Sequence, residues 1–219
     1  MKVTTDGCLF GAWSAAHISV RSPGTRLLDI GTGTGLLSLM IAQKHQVHID
    51  AIEIDPAAAA QAEANIKAAS FGERIRIVND NILHHEATNY DIIVSNPPFY
   101  ENELIAATAA KNRAHHSSEL LWDNLFAVLS QKLALEGCCY LLMPYKRKND
   151  LNNLLQREGL FASKFVLVRQ SPAHSPFRIM VQIQRQFGLT MEEEVVICDE
   201  GENYTPAFEA LLKDYYLNL

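Results

Sequence analysis

The chain has 219 residues, 48% of them hydrophobic, and a formal net charge of −6. That suits one domain with a sizeable core, and the acidic balance excludes a protein that coats nucleic acid indiscriminately, though not a local basic patch. No apolar run is long enough to span a bilayer and no basic-then-apolar leader opens the sequence, so it predicts a cytoplasmic protein without a membrane anchor. Cys8, Cys138, Cys139 and Cys198 show no CxxC spacing and read as reduced, with the adjacent Cys138 and Cys139 on opposite faces of a strand.

In chain order, Leu9 to His17 predicts a short helix, and Arg21-Ser22-Pro23-Gly24 a turn. Arg26 to Ile30 predicts a first strand and Thr34 to Gln43 the helix after it. His48 to Ile54 is a second strand. Asp55-Pro56 then supplies an N-cap and a proline at the first helical position, opening a helix that runs to about Ser70. Arg74 to Val78 and Asp91 to Ser95 are further strands. Tyr100 to Ser117 lacks apolar periodicity and reads as a long loop, a kind usually functional or mobile. Leu120 to Leu135 predicts a helix, Cys138 to Met143 a fifth strand, and Asn149 to Arg157 another helix. Phe165 to Arg169 and Ile179 to Gln184 form a late antiparallel pair, and Tyr204 to Tyr216 a last helix. Strands alternating with helices mean an α/β sandwich on a mostly parallel sheet of seven strands with an antiparallel C-terminal strand. Residues 1–219 read as one domain with a short helical segment in about residues 1–24.

Chemistry gathers at two places. Leu27-Leu28-Asp29-Ile30 leads into glycines at alternate positions, Gly31, Gly33 and Gly35, where a strand turns into a helix. Such a loop lets the backbone approach a ligand and presents the free N–H groups of the helix start. An ordinary tight turn gives the same spacing, so the following strands matter. Glu53 ends the second strand, where an acid accepts from ribose hydroxyls, and Asp80 ends the third, placed for an adenine amino group. Asp29 beside the loop would repel a pyrophosphate but suits an ammonium and a sulfonium, favouring S-adenosylmethionine over NAD.

The second place is Asn96-Pro97-Pro98-Phe99, after the apolar Asp91 to Ser95. The lone pair of an aromatic amine is delocalised into its ring. Two acceptors held against its N–H groups, the Asn96 side-chain carbonyl and the Pro97 main-chain carbonyl, favour the localised form. Pro97-Pro98 preorganises them, and Phe99 offers a face for a base to stack on.

Asp29-Ile30-Gly31-Thr32-Gly33-Thr34-Gly35 together with Asn96-Pro97-Pro98-Phe99 resembles the Rossmann-like class I S-adenosylmethionine-dependent amino-methyltransferases. That group includes adenine-N6 enzymes of DNA or RNA and glutamine-N5 enzymes of release factors. Val3-Thr4-Thr5-Asp6-Gly7-Cys8-Leu9-Phe10-Gly11-Ala12-Trp13, with Asn203-Tyr204-Thr205 and Asp214-Tyr215-Tyr216-Leu217, is similar to the bacterial tRNA (adenine-37-N6)-methyltransferases acting on a valine tRNA. The resemblance implies S-adenosylmethionine as cofactor, tRNA as partner, and Asn96, Pro97, Pro98 and Phe99 as the catalytic motif. The cofactor-binding set is Asp29, Gly31, Gly33, Gly35, Glu53 and Asp80. In two respects the chain departs from that family. It starts almost at the Thr-Asp-Gly segment, which others precede with a further stretch, and it has Ala114-His115-His116 where they often have Ala-Arg-His.

Lys111 and Arg113, in the loop after the reacting motif, are candidates for RNA contact. Lys146, Arg147 and Lys148 after the fifth strand are too, although a solvated helix start explains them equally. His84-His85 and His115-His116 lack a partner carboxylate at ligand spacing, so no metal is expected. Trp13 and Trp122 read as packing residues. Nothing implies an oligomer. The rival readings are a glutamine methyltransferase, a DNA adenine methyltransferase, a non-catalytic cofactor-binding module and an NAD enzyme. The first needs a helical substrate domain, for which about 25 residues ahead of the loop are too few. The second needs a target-recognition segment. The third has no use for Asn96-Pro97-Pro98-Phe99, and Asp29 disfavours the fourth.

Overall fold

The computed structural model describes residues 3–97 and 122–217. Pro98, Phe99, Lys111, Arg113, His115, His116 and the expected loop of 100–117 lie outside the described residues. The elements in order are α1 (Thr5–His17), β1 (Arg26–Ile30), α2 (Leu36–Lys44), β2 (His48–Glu53), α3 (Pro56–Lys67), β3 (Ile75–Asn79) and β4 (Tyr90–Ser95). A helix over 122–132 (α4) follows, then β5 (Leu133–Pro144), α5 (Lys148–Arg157), β6 (Phe161–Arg169), β7 (Arg178–Gln184), β8 (Met191–Val196) and α6 (Pro206–Leu212).

The strands form one sheet in the order β3-β2-β1-β4-β5-β7-β6-β8. Only β7 runs against its neighbours, pairing antiparallel with β5 and β6. The expected late hairpin is therefore present, inside a sheet of eight strands rather than seven. The additional strand, β8, pairs parallel with β6 at the edge. Its run of Glu192, Glu193 and Glu194 has no apolar alternation to mark a strand. In the fold each glutamate meets a cation from a distant element: Lys148, Lys164 and Arg169 respectively.

Helices cover both faces. Phe10 and Trp13 of α1, Ile41 of α2 and Phe208 of α6 share one apolar cluster, while Phe126 and Leu129 of α4 with Leu151 and Leu155 of α5 build the other. Leu27 faces the first and Leu28 the second, so β1 is buried on both sides, as a central parallel strand requires. Cys138 packs toward the first cluster and Cys139 lies in the second, and all four cysteines are free.

Helix ends follow local chemistry. Asp55 caps α3, its Oδ2 accepting from Ala58 N at 3.0 Å, with Pro56 at the first helical position. Thr4 caps α1, which begins four residues before the expected Leu9. Polar Thr5 and Asp6 form the first turn that apolar periodicity alone does not reveal. Strand β5 begins at Leu133, where a helix was expected to continue. Its pairing with β4 jumps from Tyr90↔Leu133 to Ile92↔Cys138, so residues 134–137 bulge out of register. Between β2 and β4, the strand order reverses at β1. The crevice at the carboxyl ends of such strands is where ligands bind in open α/β sheets.

Candidate active site

All three loop glycines adopt positive φ: +70° at Gly31, +60° at Gly33 and +82° at Gly35. A side chain at any of them would strain the turn. The loop is pinned to the adjacent strand, with the N–H groups of Gly31 and Thr32 both donating to Ile52 O at 2.9 and 3.0 Å. Gly35 caps α2 without a side-chain hydrogen bond at the cap.

Asp29 lies beneath this loop with no exposed surface. Its Oδ2 accepts from Thr32 Oγ1 at 2.6 Å and from Ser38 Oγ at 2.7 Å, while Oδ1 has no protein partner. Burial pushes its carboxyl up to about 6, against the pull of the two hydroxyls. Thr32 and Ser38 escaped the sequence reading. Thr32 sits between glycines, and Ser38 is one polar residue in the apolar run Leu36 to Ile41.

Glu53 is buried at the end of β2, its Oε2 accepting from Gly33 N at 2.8 Å and its Oε1 from Asp55 N at 2.9 Å. A carboxylate has about four acceptor positions, so two remain for ligand hydroxyls. Asp80 follows β3, and its N–H donates to Glu53 O at 3.1 Å, placing the two acids side by side. The Asp80 side chain is exposed, with Oδ1 2.6 Å from Asn81 N and 3.0 Å from His84 Nδ1. The His84 contact, then the Asn81 N–H, holds its carboxyl below the usual range. Asp29, Glu53 and Asp80 are thus gathered at the ends of three adjacent strands.

Asn96 follows β4, which is locked to β1 by Ser95 Oγ donating to Ile30 O at 2.9 Å. The reacting motif therefore starts directly beside the glycine loop. Asn96 is half-buried and Pro97 buried. The Asn96 Nδ2 sits against Gly7 in the first turn of α1: a Cβ built at position 7 would lie 3.6 Å from it.

At the end of β5, Lys146 is exposed and Arg147 sits 5.7 Å above the Trp122 ring and 3.8 Å from Asp150 Oδ2. Lys148 is engaged by Glu192. Trp13 and Trp122 are buried. His84 is occupied by Asp80, and His85 Nε2 lies 2.7 Å from Tyr90 Oη. Among the described residues no group of three or more His, Cys, Asp or Glu side chains is arranged to hold a metal ion, and no helix is long and apolar enough to cross a membrane.

A similar fold and related sequences occur in known proteins. The crystal structure of a predicted O-methyltransferase from Agrobacterium tumefaciens superposes with a TM-score of 0.72 at 15% identity, over 95% of this chain and 99% of that one. The tRNA1(Val) (adenine(37)-N6)-methyltransferase of Tolumonas auensis is 35% identical over 221 residues, covering 100% of this chain and 91% of that protein. The enzyme of the same name from Yersinia pseudotuberculosis serotype O:3 is 35% identical over 225 residues, covering 100% and 86%. The methyltransferase small domain profile matches residues 15–142, the segment that carries the glycine loop, the strand-end acids and Asn96. The chain belongs to the methyltransferase small domain family, in the full-length group whose named members are tRNA1(Val) (adenine(37)-N6)-methyltransferases.

Proposed function

We propose that this protein transfers a methyl group from S-adenosylmethionine to the N6 amino group of an adenine in tRNA, adenosine 37 of a valine tRNA. The observation that carries it is the placement of Asn96 at the end of β4, locked beside the loop whose Gly33 is held by Glu53.

The residues fit the cofactor. Asp29, buried beneath the loop with no hydrogen-bond partner on Oδ1 among the described residues, puts a carboxylate where it favours a cationic ligand and opposes a pyrophosphate. The free acceptor positions of Glu53 take ribose hydroxyls, and exposed Asp80 takes the adenine amino group. S-adenosylmethionine supplies there an electrophilic sulfonium methyl.

The remaining work falls to this chain. Asn96 Oδ1 and the Pro97 carbonyl accept from the target N–H groups and localise the amine lone pair, with Phe99 stacking on the base. Rate comes chiefly from positioning and preorganised acceptors. Lys111, Arg113, Lys146, Arg147 and Lys148 guide the tRNA phosphates, with Lys148, 2.5 Å from Glu192, contributing less than Arg147, 3.8 Å from Asp150. The substrate places the enzyme in the cytoplasm, where tRNA is.

Incubation with labelled cofactor and bulk tRNA, followed by nucleoside mapping, tests the reading. Label in N6-methyladenosine at position 37 of a valine tRNA is expected. Label in the glutamine of a release factor with none in tRNA would overturn it.

A further inference from the structure

The first turn of α1 is tied to the sheet two strands away from the reacting motif. In the order β4-β5-β7, Asn96 follows β4 and Arg178 opens antiparallel β7, so both stand at the same end of the sheet. Arg178 Nε donates to Asp6 Oδ2 at 2.8 Å, and both side chains are largely shielded from water. Asp6 Oδ1 accepts from Gly7 N at 3.0 Å, and Thr4 Oγ1 accepts from the same N–H at 3.3 Å. The turn so held is the one that backs Asn96. A Cβ at position 7 would lie 3.1 Å from Thr4 Oγ1 as well as 3.6 Å from Asn96 Nδ2.

A shielded ion pair is a poor source of stability, because desolvation offsets most of its attraction. What a charge-assisted hydrogen bond does provide is a fixed distance and direction. Here that direction runs from β7 through Asp6 to Gly7, in the turn that lies near the Asn96 amide. The glycine loop is secured separately, by Ile52, Glu53 and Asp29.

We propose that the Asp6–Arg178 ion pair is a positioning device for the methyl-transfer step. It fixes the first turn of α1, where Gly7 without a Cβ leaves room for the Asn96 amide, and so keeps Oδ1 aimed at the target amine. This rests on the reading of Asn96 as the acceptor for that amine.

A double-mutant cycle read by single-turnover kinetics at saturating S-adenosylmethionine and tRNA tests it. Asp6→Asn removes the charge and keeps the shape. It lowers the transfer rate constant about 10- to 100-fold, the scale of a small misplacement at the reacting centre. Asp6→Glu keeps the carboxylate but lengthens the side chain by one methylene, and recovers only part of that rate. Dissociation constants for cofactor and tRNA stay unchanged. In an Asn96→Ala background the Asp6→Asn change costs less than about 2-fold more, because the group it positions is gone. Equal losses in both backgrounds would make the pair merely structural and overturn the proposal, as would a parent-like rate for Asp6→Asn. Asn96→Ala at the parent rate would instead remove the reading of Asn96 itself. If Asp6→Asn does not fold, Arg178→Lys, which keeps both charges and alters the geometry, runs through the same cycle. Failure of both to fold would make the pair a folding requirement and likewise overturn the proposal.

Discussion

The main-chain N–H of Gly33 donates to Glu53 Oε2 at 2.8 Å, so the acid proposed to hold the cofactor ribose also holds the glycine loop. Glu53 therefore has two tasks, and its removal is felt with and without ligand. Glu53→Ala leaves the Gly33 N–H without its acceptor, at a cost of about 1–3 kcal/mol in stability of the ligand-free protein. S-adenosylmethionine affinity falls by about 1.5–3 kcal/mol more, the scale of hydrogen bonds to a charged group. Glu53→Gln keeps an acceptor for one N–H and loses less on both counts. Thermal unfolding and calorimetry on the two variants check this; unchanged affinity in Glu53→Ala would remove Glu53 from the cofactor site.

Asp29 gives a pH dependence whose sign follows from burial. Its carboxyl is raised to about 6, so the folded protein holds this proton more tightly than the unfolded chain does. Its favourable contribution is therefore complete below about pH 4 and lost as pH rises through about 6. Above pH 6 the ionised group costs stability, on the order of 2–3 kcal/mol. Asp29→Asn, which keeps an acceptor for Thr32 and Ser38, is then more stable than the parent at pH 8. The gap closes on acidification toward pH 4. Cofactor affinity moves the other way, rising with pH through about 6 in the parent and staying flat in the variant. Denaturant midpoints and cofactor titrations across that range measure both. A variant less stable than the parent at pH 8 would mean that the cavity accommodates the charge better than its burial implies.

Much of this site is legible in the sequence because its signals are local. Asp55-Pro56 announces a helix start from two adjacent residues, and the fold uses them so. The apolar runs of β1, β2 and β4 sit close to their expected ends, and those ends carry Asp29, Glu53 and Asn96. What the sequence conceals depends on distant partners. The three glutamates of β8 become strand residues once Lys148, Lys164 and Arg169 are brought beside them. Asp6 gains its meaning from Arg178, 172 positions away. Ser38 looks like an accident in an apolar helix until the turn of the loop sets it on Asp29.

Binding to tRNA will be salt-sensitive in a way that separates neighbouring cations. Each phosphate contact contributes about −0.9 to the log–log salt slope on duplex regions and about −0.7 on single strands. Lys146→Ala or Arg147→Ala should make the slope shallower by roughly one such contact. Lys148→Ala should change it less than Arg147→Ala, since Lys148 lies 2.5 Å from Glu192 whereas Arg147 stands 3.8 Å from Asp150. Filter binding between low and physiological salt measures the three slopes, and equal effects at all three would mean that the Lys148–Glu192 pair opens on RNA binding.

Under the proposed function Asn96 and Phe99 act at different stages, and their variants should part accordingly. Asn96→Ala deletes one preorganised acceptor for the target amine and leaves Glu53, Asp80 and the glycine loop in place. The cost is on the order of 10²–10³ in turnover, with S-adenosylmethionine affinity unchanged. Phe99→Ala deletes a stacking face instead, and weakens capture of the extruded base by about 1–3 kcal/mol. The first loss therefore appears in kcat and the second in KM or tRNA affinity. Single-turnover kinetics over a range of tRNA concentrations resolve the two. If excess tRNA restored the rate of Asn96→Ala, the amide would be a binding contact rather than an acceptor in the transition state. The positioning assigned to Asp6 and Arg178 would then have no rate to govern.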